Sequence, residues 1–146
     1  MKDYPKLKFK LLSENAKAPQ RGTAGSSGLD VFSPIDFEIE PNSDKLIPLD
    51  LSFDIPFGWD LVVYNKSGVS TKKKLIKGAE LIDSDYLGNC HAHLFNLSNE
   101  IVKFNKGDKL VQLVMREVWM GELEQVDEIE KKSKRGSGGF GSTGAF

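Results

Sequence analysis

From Ile47 to Ile55 apolar and polar residues alternate without a break: Ile47, Leu49, Leu51, Phe53 and Ile55 against Pro48, Asp50, Ser52 and Asp54. In an extended chain successive side chains point to opposite faces, so a period of two describes a strand with one buried face. A helix would scatter the same apolar residues around its axis. Pro48 cannot donate to a ladder, which places this strand at an edge or a bulge. The period recurs where Leu7, Phe9 and Leu11 alternate with Lys6, Lys8 and Lys10, and where Phe37 and Ile39 alternate with Asp36, Glu38 and Glu40. Further strands are expected at 59–64, 89–97 and 109–118. Turn residues punctuate them at Pro41-Asn42-Ser43, Pro56-Phe57-Gly58 and Asn105-Lys106-Gly107-Asp108. Only one short helical turn is visible, near 68–73. Many short punctuated strands describe an all-β chain, a jelly-roll-like sandwich or barrel.

The alternation dissolves into Glu, Lys, Ser and Gly after Val126. We expect a folded body over 1–126 and a mobile C-terminal arm over 127–146. A chain of 146 residues is long enough for one real core. The net charge of −1, with acids and bases interspersed, offers no basic stripe for duplex nucleic acid. The single cysteine, Cys90, excludes an internal disulfide and a cysteine-cluster zinc site, and reads as a small buried strand residue. No apolar run approaches a membrane span and no apolar leader opens the chain, so a soluble, cytoplasmic protein is expected.

Several segments could carry chemistry. The tail from Arg135 to Gly144 holds five glycines, one arginine, one phenylalanine and the hydroxyls of Ser137, Ser142 and Thr143. That is a set for wrapping a ligand both aromatic and anionic, with a guanidinium fork for phosphate. It also describes a solvated Gly/Ser tail. Asp83-Ser84-Asp85, carried between Leu81-Ile82 and Tyr86-Leu87, places carboxylates beside an expected hairpin, and an ordinary capped turn has the same residues. Asn65-Lys66-Ser67-Gly68 suits a phosphate, or a plain helix start. Gly28-Leu29-Asp30 leaves a small-residue loop. Gln112 is a polar intruder in an apolar strand, and a satisfied edge glutamine would look the same.

In this order and spacing the segments resemble the trimeric dUTP pyrophosphatase (dUTPase) family. Gly28-Leu29-Asp30, Lys66-Ser67-Gly68, Leu81 to Tyr86, Gly107 to Gln112 and Arg135 to Gly144 stand where the family has its five motifs. The resemblance implies a jelly-roll protomer, a homotrimer, and hydrolysis of dUTP to dUMP and pyrophosphate. It implies that the tail of one subunit closes over a site built by its neighbours. About nine residues separate the body from Arg135, a reach of roughly 30 Å when extended.

The resemblance further implies roles. Backbone groups of Glu80, Leu81, Ile82 and His91 would read uracil, and exclude cytosine by leaving buried polar groups unpaired. Tyr86 would pack beneath the deoxyribose. Asp83 would hold and polarise the water that attacks the α-phosphorus. Lys66, Ser67, Gly68 and Gln112 would contact phosphates. Arg135, Ser142 and Thr143 would grip the γ-phosphate, while Gly139, Phe140 and Gly141 close over the base with Phe140 stacked on it. Asp30 and Asp85 would support the site. Mg2+ would be held by phosphates and water, with no protein ligand cluster.

Three residues depart from the family pattern. Lys66 stands where arginine is usual, a point charge in place of a fork. Glu80 and His91 stand where small residues are usual; exposed strand histidines are the plain reading of His91 and His93. The strand carrying them has no glutamate, so a dCTP deaminase, which shares the fold, lacks its acid here. Expected partners are dUTP and two further copies of the chain, with no stable nucleic-acid or membrane binding. There is room for a regulatory protein partner.

Overall fold

The longest alternating run folds as two strands, not one. The computed structural model describes residues 3–139. Its strands are β1 (Lys8–Leu11), β2 (Gln20–Arg21), β3 (Leu29–Phe32), β4 (Phe37–Ile39), β5 (Asp44–Pro48) and β6 (Leu51–Asp54), then β7 (Trp59–Asn65). One helix follows, α1 (Ser67–Lys73), and then β8 (Leu75–Lys77), β9 (Leu81–Ile82), β10 (His91–Asn96), β11 (Val102–Phe104) and β12 (Lys109–Glu117). Between β5 and β6 the chain breaks at Asp50, held at φ 52°, a left-handed turn that aspartate tolerates. The corner is stitched to Cys90, whose carbonyl accepts from the Leu49 amide at 2.9 Å and whose amide donates to Leu51 at 2.8 Å. The alternation survives the break: Ile47, Leu49, Leu51, Phe53 and Ile55 are all 3% exposed or less. Pro48 ends β5, an edge strand, where its missing N–H costs nothing.

The strands form a five-stranded sheet in the order β2-β3-β12-β7-β9, a three-stranded sheet β5-β10-β8, and the pairs β1-β6 and β11-β4, all antiparallel. This is the all-β, jelly-roll-like architecture the alternation describes. Inward residues from each sheet make one core: Val31, Leu61, Val63, Leu110 and Leu113 face Ile47, Ala92 and Leu94. Phe37 stacks on Phe104 at one end, with centroids 4.9 Å apart. Asn96 is buried in this core, and its amide donates to the carbonyls of Ile39, Glu40 and Glu100. Burying an amide is tolerated when every donor finds an acceptor.

Two expectations need correction. The residues after Ile82 do not return as the second arm of a hairpin. β9 pairs with β7, residues 83–90 cross between sheets, and β10 begins at His91 against β5 and β8. β1 is also not half buried: Phe9 and Leu11 are 46% and 43% exposed, because β1 pairs with β6 alone at the rim, and only Leu7 just before it packs on the core.

The last strand ends at Glu117. Val118 still donates to the Gly58 carbonyl, and residues 119–137 are exposed without strand or helix. Among the described residues no helix is long and apolar enough to cross a membrane.

Candidate active site

Strands β3 and β7 end where β12 begins, and this end of the sheet gathers the first group of candidate residues. Asp30, on β3, is buried. Its two carboxylate oxygens each take an ammonium at 2.8 Å, Lys66 on one and Lys109 on the other. Burial pushes the Asp30 carboxyl up, and the two lysines outweigh burial to leave it below its ordinary value. Gln112 stands opposite Asp30 in the β12–β3 register and opposite Tyr64 in the β12–β7 register. Its side-chain amide donates to the Asn65 carbonyl at 2.9 Å. Gly28 passes so close to this side chain that an added Cβ would lie 2.1 Å from Oε1. Lys66 then enters α1 in an extended conformation, and Ser67 opens the helix. Gly68 faces open space. Lys109 gave no sign of this role in the sequence.

The second group lies along the outer edge of β7, where β9 pairs with it. Val63, Ala79, Glu80, Leu81, Ile82, Asp83, Tyr86, Asn89, Cys90 and His91 line a recess of about 220 Å³. The wall is fixed by backbone pairing: Val63 donates to the Glu80 carbonyl at 2.8 Å, and Leu61 and Val62 stand opposite Ile82 and Leu81. The Glu80 side chain is tied to Lys77 by an ion pair. His91 is half-buried at the mouth, on the outward face of β10. In the turn, Tyr86 donates its amide to the Asp83 carbonyl, and its hydroxyl donates to the Asn89 carbonyl at 2.8 Å. The Tyr86 ring lies over Gly88, where a Cβ would come within 2.6 Å of the hydroxyl. Cys90 closes the floor, and burial pushes its thiol up to about 11, which keeps it protonated and unreactive. Asp83, with Ser84 and Asp85, also borders a hollow of about 500 Å³ walled by Phe57, Trp59, Trp119 and Met120.

Within one protomer Asp83 and Lys66 stand apart. Ile82 stands opposite Leu61, and Lys66 follows Asn65. The four residue steps of β7 from Leu61 to Asn65 span about 13 Å at ~3.3 Å per residue, and Asp83 and Lys66 lie beyond the two ends.

In the arm, Arg135 Nε donates to the Gly138 carbonyl at 2.8 Å across a turn with Gly136 at φ 55°. Gly139 is described; Phe140, Gly141, Ser142 and Thr143 lie outside the described residues. No cluster of three or more His, Cys, Asp or Glu that could hold a metal occurs among the described residues.

Comparison with known proteins bears on the whole arrangement. The family model described as dUTPase matches residues 14–144. Over 142 residues the chain is 39% identical to the deoxyuridine 5'-triphosphate nucleotidohydrolase of Mus musculus, covering 97% of this chain and 87% of that protein. It is similar to the dUTPase of Staphylococcus bacteriophage 80alpha, solved with dUpNHpp, at a TM-score of 0.92 and 31% identity over 97% of this chain and 100% of that one. A mutant dUTPase from phage phi11 of S. aureus, in which a structural Mg(II) ion is coordinated, matches at a TM-score of 0.83 and 31% identity over 87% of this chain and 100% of that one.

Proposed function

The chain belongs to the dUTPase family, and from that premise we propose how its residues divide the work of hydrolysing dUTP to dUMP and pyrophosphate. The observation that carries this reading is the recess of about 220 Å³ that Asp83 borders, set apart within one protomer from the lysine pair held on Asp30.

The pyrimidine enters the recess lined by Glu80, Leu81, Ile82 and His91. Backbone groups there read its edge, and a base with exchanged donors and acceptors leaves them unpaired. The hold of Lys77 on Glu80 supports a backbone role for that residue. Tyr86, braced by Asn89 and Gly88, offers its ring to the sugar. Asp83 at the edge of the recess accepts a proton from the water that attacks the α-phosphorus; the P–O bond to the departing pyrophosphate breaks as the new one forms. Asp85 supports the turn that presents Asp83.

Lys66, Ser67, Gly68 and Gln112 contact phosphates. Asp30 sets the position of Lys66 and does not touch substrate. Since Asp83 and Lys66 stand apart in one protomer, a complete site takes its base recess from one protomer and its phosphate contacts from another. A homotrimer, the assembly the resemblance to the family implies, supplies such shared sites. Residues 127–146 act as the arm that closes such a site, with Arg135, Ser142 and Thr143 on the γ-phosphate and Gly139, Phe140 and Gly141 over the base. A phage relative coordinates Mg(II). Here Mg2+ would be carried by the triphosphate and its water. When bound it neutralises phosphate charge.

Pyrophosphate release from dUTP, dCTP, dTTP and UTP, each with and without magnesium, tests the reading. Release from dUTP alone, dependent on magnesium, is the expected result. Turnover of several nucleotides would overturn the assignment of the recess as a uracil reader.

A further inference from the structure

His93 has no part in the reaction as divided above, yet it is the most constrained polar side chain on its face of β10. The strand alternates: Ala92, Leu94 and Asn96 point into the core, while His91, His93 and Phe95 point outward. An outward histidine on a strand is ordinarily solvated, but here both ring nitrogens are engaged. Nδ1 accepts from the Ala79 backbone N–H at 3.2 Å, and Nε2 meets Asp44 Oδ2 at 2.9 Å. The backbone N–H of Ala79 can only donate, so Nδ1 is unprotonated and Nε2 carries the hydrogen toward the carboxylate. The neutral imidazole, in one tautomer, satisfies both partners.

The ring also dictates the residue beside it. Gly78 donates its amide to the His93 carbonyl at 2.8 Å, directly across the ladder. A Cβ on Gly78 would lie 2.1 Å from Nδ1 and 2.7 Å from Phe95. The Phe95 ring packs on the imidazole, with centroids 4.6 Å apart. The imidazole therefore occupies the space a side chain at residue 78 would take, and holds the chain where β8 hands over to β9. The next residues, Ala79, Glu80, Leu81 and Ile82, form one wall of the recess.

We propose that His93, held between Asp44 and the Ala79 amide, positions the wall of the pyrimidine recess, and that protonating it releases that wall and weakens nucleotide binding. An imidazolium bears hydrogen on both nitrogens. Its Nδ1–H would face the Ala79 N–H, donor against donor, while its charge would draw the ring toward Asp44. The remaining titratable groups on the elements packed against it are the Lys77–Glu80 ion pair, Lys45 beside Asp44, and His91 two residues along β10. The titratable group bonded to the ring is Asp44.

The inference rests on the recess being the base site. Binding of dUpNHpp by calorimetry, and kcat and KM for dUTP, are measured from about pH 8 to about pH 5.5 for the wild type, His93→Phe and His93→Gln. The glutamine keeps a donor for Asp44 and cannot gain a charge. His93→Phe is expected to weaken dUpNHpp binding roughly tenfold at neutral pH, one lost hydrogen bond, and to raise KM with kcat little changed. His93→Gln is expected to bind near wild-type strength at neutral pH. Both variants lose the extra weakening that the wild type shows on acidification; the nucleotide's own phosphate ionisation is common to all three proteins. Wild-type affinity in His93→Phe, or the same acid weakening in both variants, overturns the inference. If His93→Phe fails to fold, the pH profile of His93→Gln decides alone. A wild type that binds no dUpNHpp at any pH overturns the base-site reading itself, a different failure from variants that leave binding unmoved.

Discussion

Lys66 Nζ sits 2.8 Å from Asp30 Oδ1, so the cation proposed to meet phosphate is already bound to a buried carboxylate. An arginine there could give one edge to the carboxylate and another to a phosphate, whereas an ammonium must share one compact charge. Lys109 on the second oxygen of Asp30 balances that demand.

This triad makes acid stability testable. The Asp30 carboxyl is held below its ordinary value once the lysines outweigh its burial. Its stabilisation is complete above the ordinary carboxylate value and is lost as the pH falls through the lower value of the folded state. Asp30→Asn is expected to cost about 2–3 kcal/mol at neutral pH, the scale of hydrogen bonds to charged groups. The gap to wild type should shrink once the pH is taken below the ordinary carboxylate range. Urea unfolding at the two pH values measures both. A gap that does not change with pH would mean that the ionised pairs are not what Asp30 contributes.

Gln112 depends on a glycine in a neighbouring loop. With Gly28→Ala the new Cβ would lie 2.1 Å from Gln112 Oε1 and 3.1 Å from its Cβ, too near the root of the side chain for a simple swing to relieve it. The bond to the Asn65 carbonyl should break. A loss of about 1–2 kcal/mol at a phosphate contact raises KM for dUTP roughly tenfold, with the circular dichroism spectrum unchanged. An unaltered KM would remove Gln112 from the phosphate contacts.

How much of this was legible beforehand differs from element to element. The alternation at Ile47–Ile55 identified every buried residue correctly, because the period reports which face a side chain takes. It could not show the turn at Asp50, because the period is the same whether a strand keeps its partner or changes sheets. Asp83-Ser84-Asp85 was visible as a turn, but the chain's passage to another sheet was not, since pairing is decided by contacts distant in sequence. Gln112 stood out as a polar residue among apolar neighbours and proved to be a bonded one. His93 did not stand out: an outward strand position looks alike whether its side chain meets solvent or an amide and a carboxylate. Lys109 was hidden for a similar reason, one lysine among many until folding set it on Asp30.

Asp83 at the edge of the recess is expected to be the group without which chemistry stops and binding continues. Asp83→Asn keeps the shape of the turn and removes the capacity to take a proton. Turnover should fall by about 10²–10⁴, the usual weight of a general base, while calorimetric binding of dUpNHpp stays at wild-type strength. Retained turnover would remove Asp83 from the role of base. Joint loss of binding would mean that the carboxylate holds the nucleotide, and that another group activates the water.

Stability can be gained where α1 ends. Lys74 closes the helix at φ 55° and ψ 37°, the left-handed conformation usually given to glycine, and its carbonyl accepts from the Leu97 amide at 3.1 Å. A residue with a Cβ pays about 1–2 kcal/mol for that conformation. Glycine relieves the strain but is freer in the unfolded chain, which offsets part of the gain. Lys74→Gly should therefore stabilise by about 0.5–1 kcal/mol and raise Tm by roughly 1–4 °C for a chain of this size. Lys72 and Lys73 still place positive charge at the helix C-terminus, so losing the third lysine should cost little. A scanning calorimetry trace for each protein decides it. A lower Tm for the glycine variant would mean that the Lys74 side chain contributes more through its charge and stem than its backbone loses through strain.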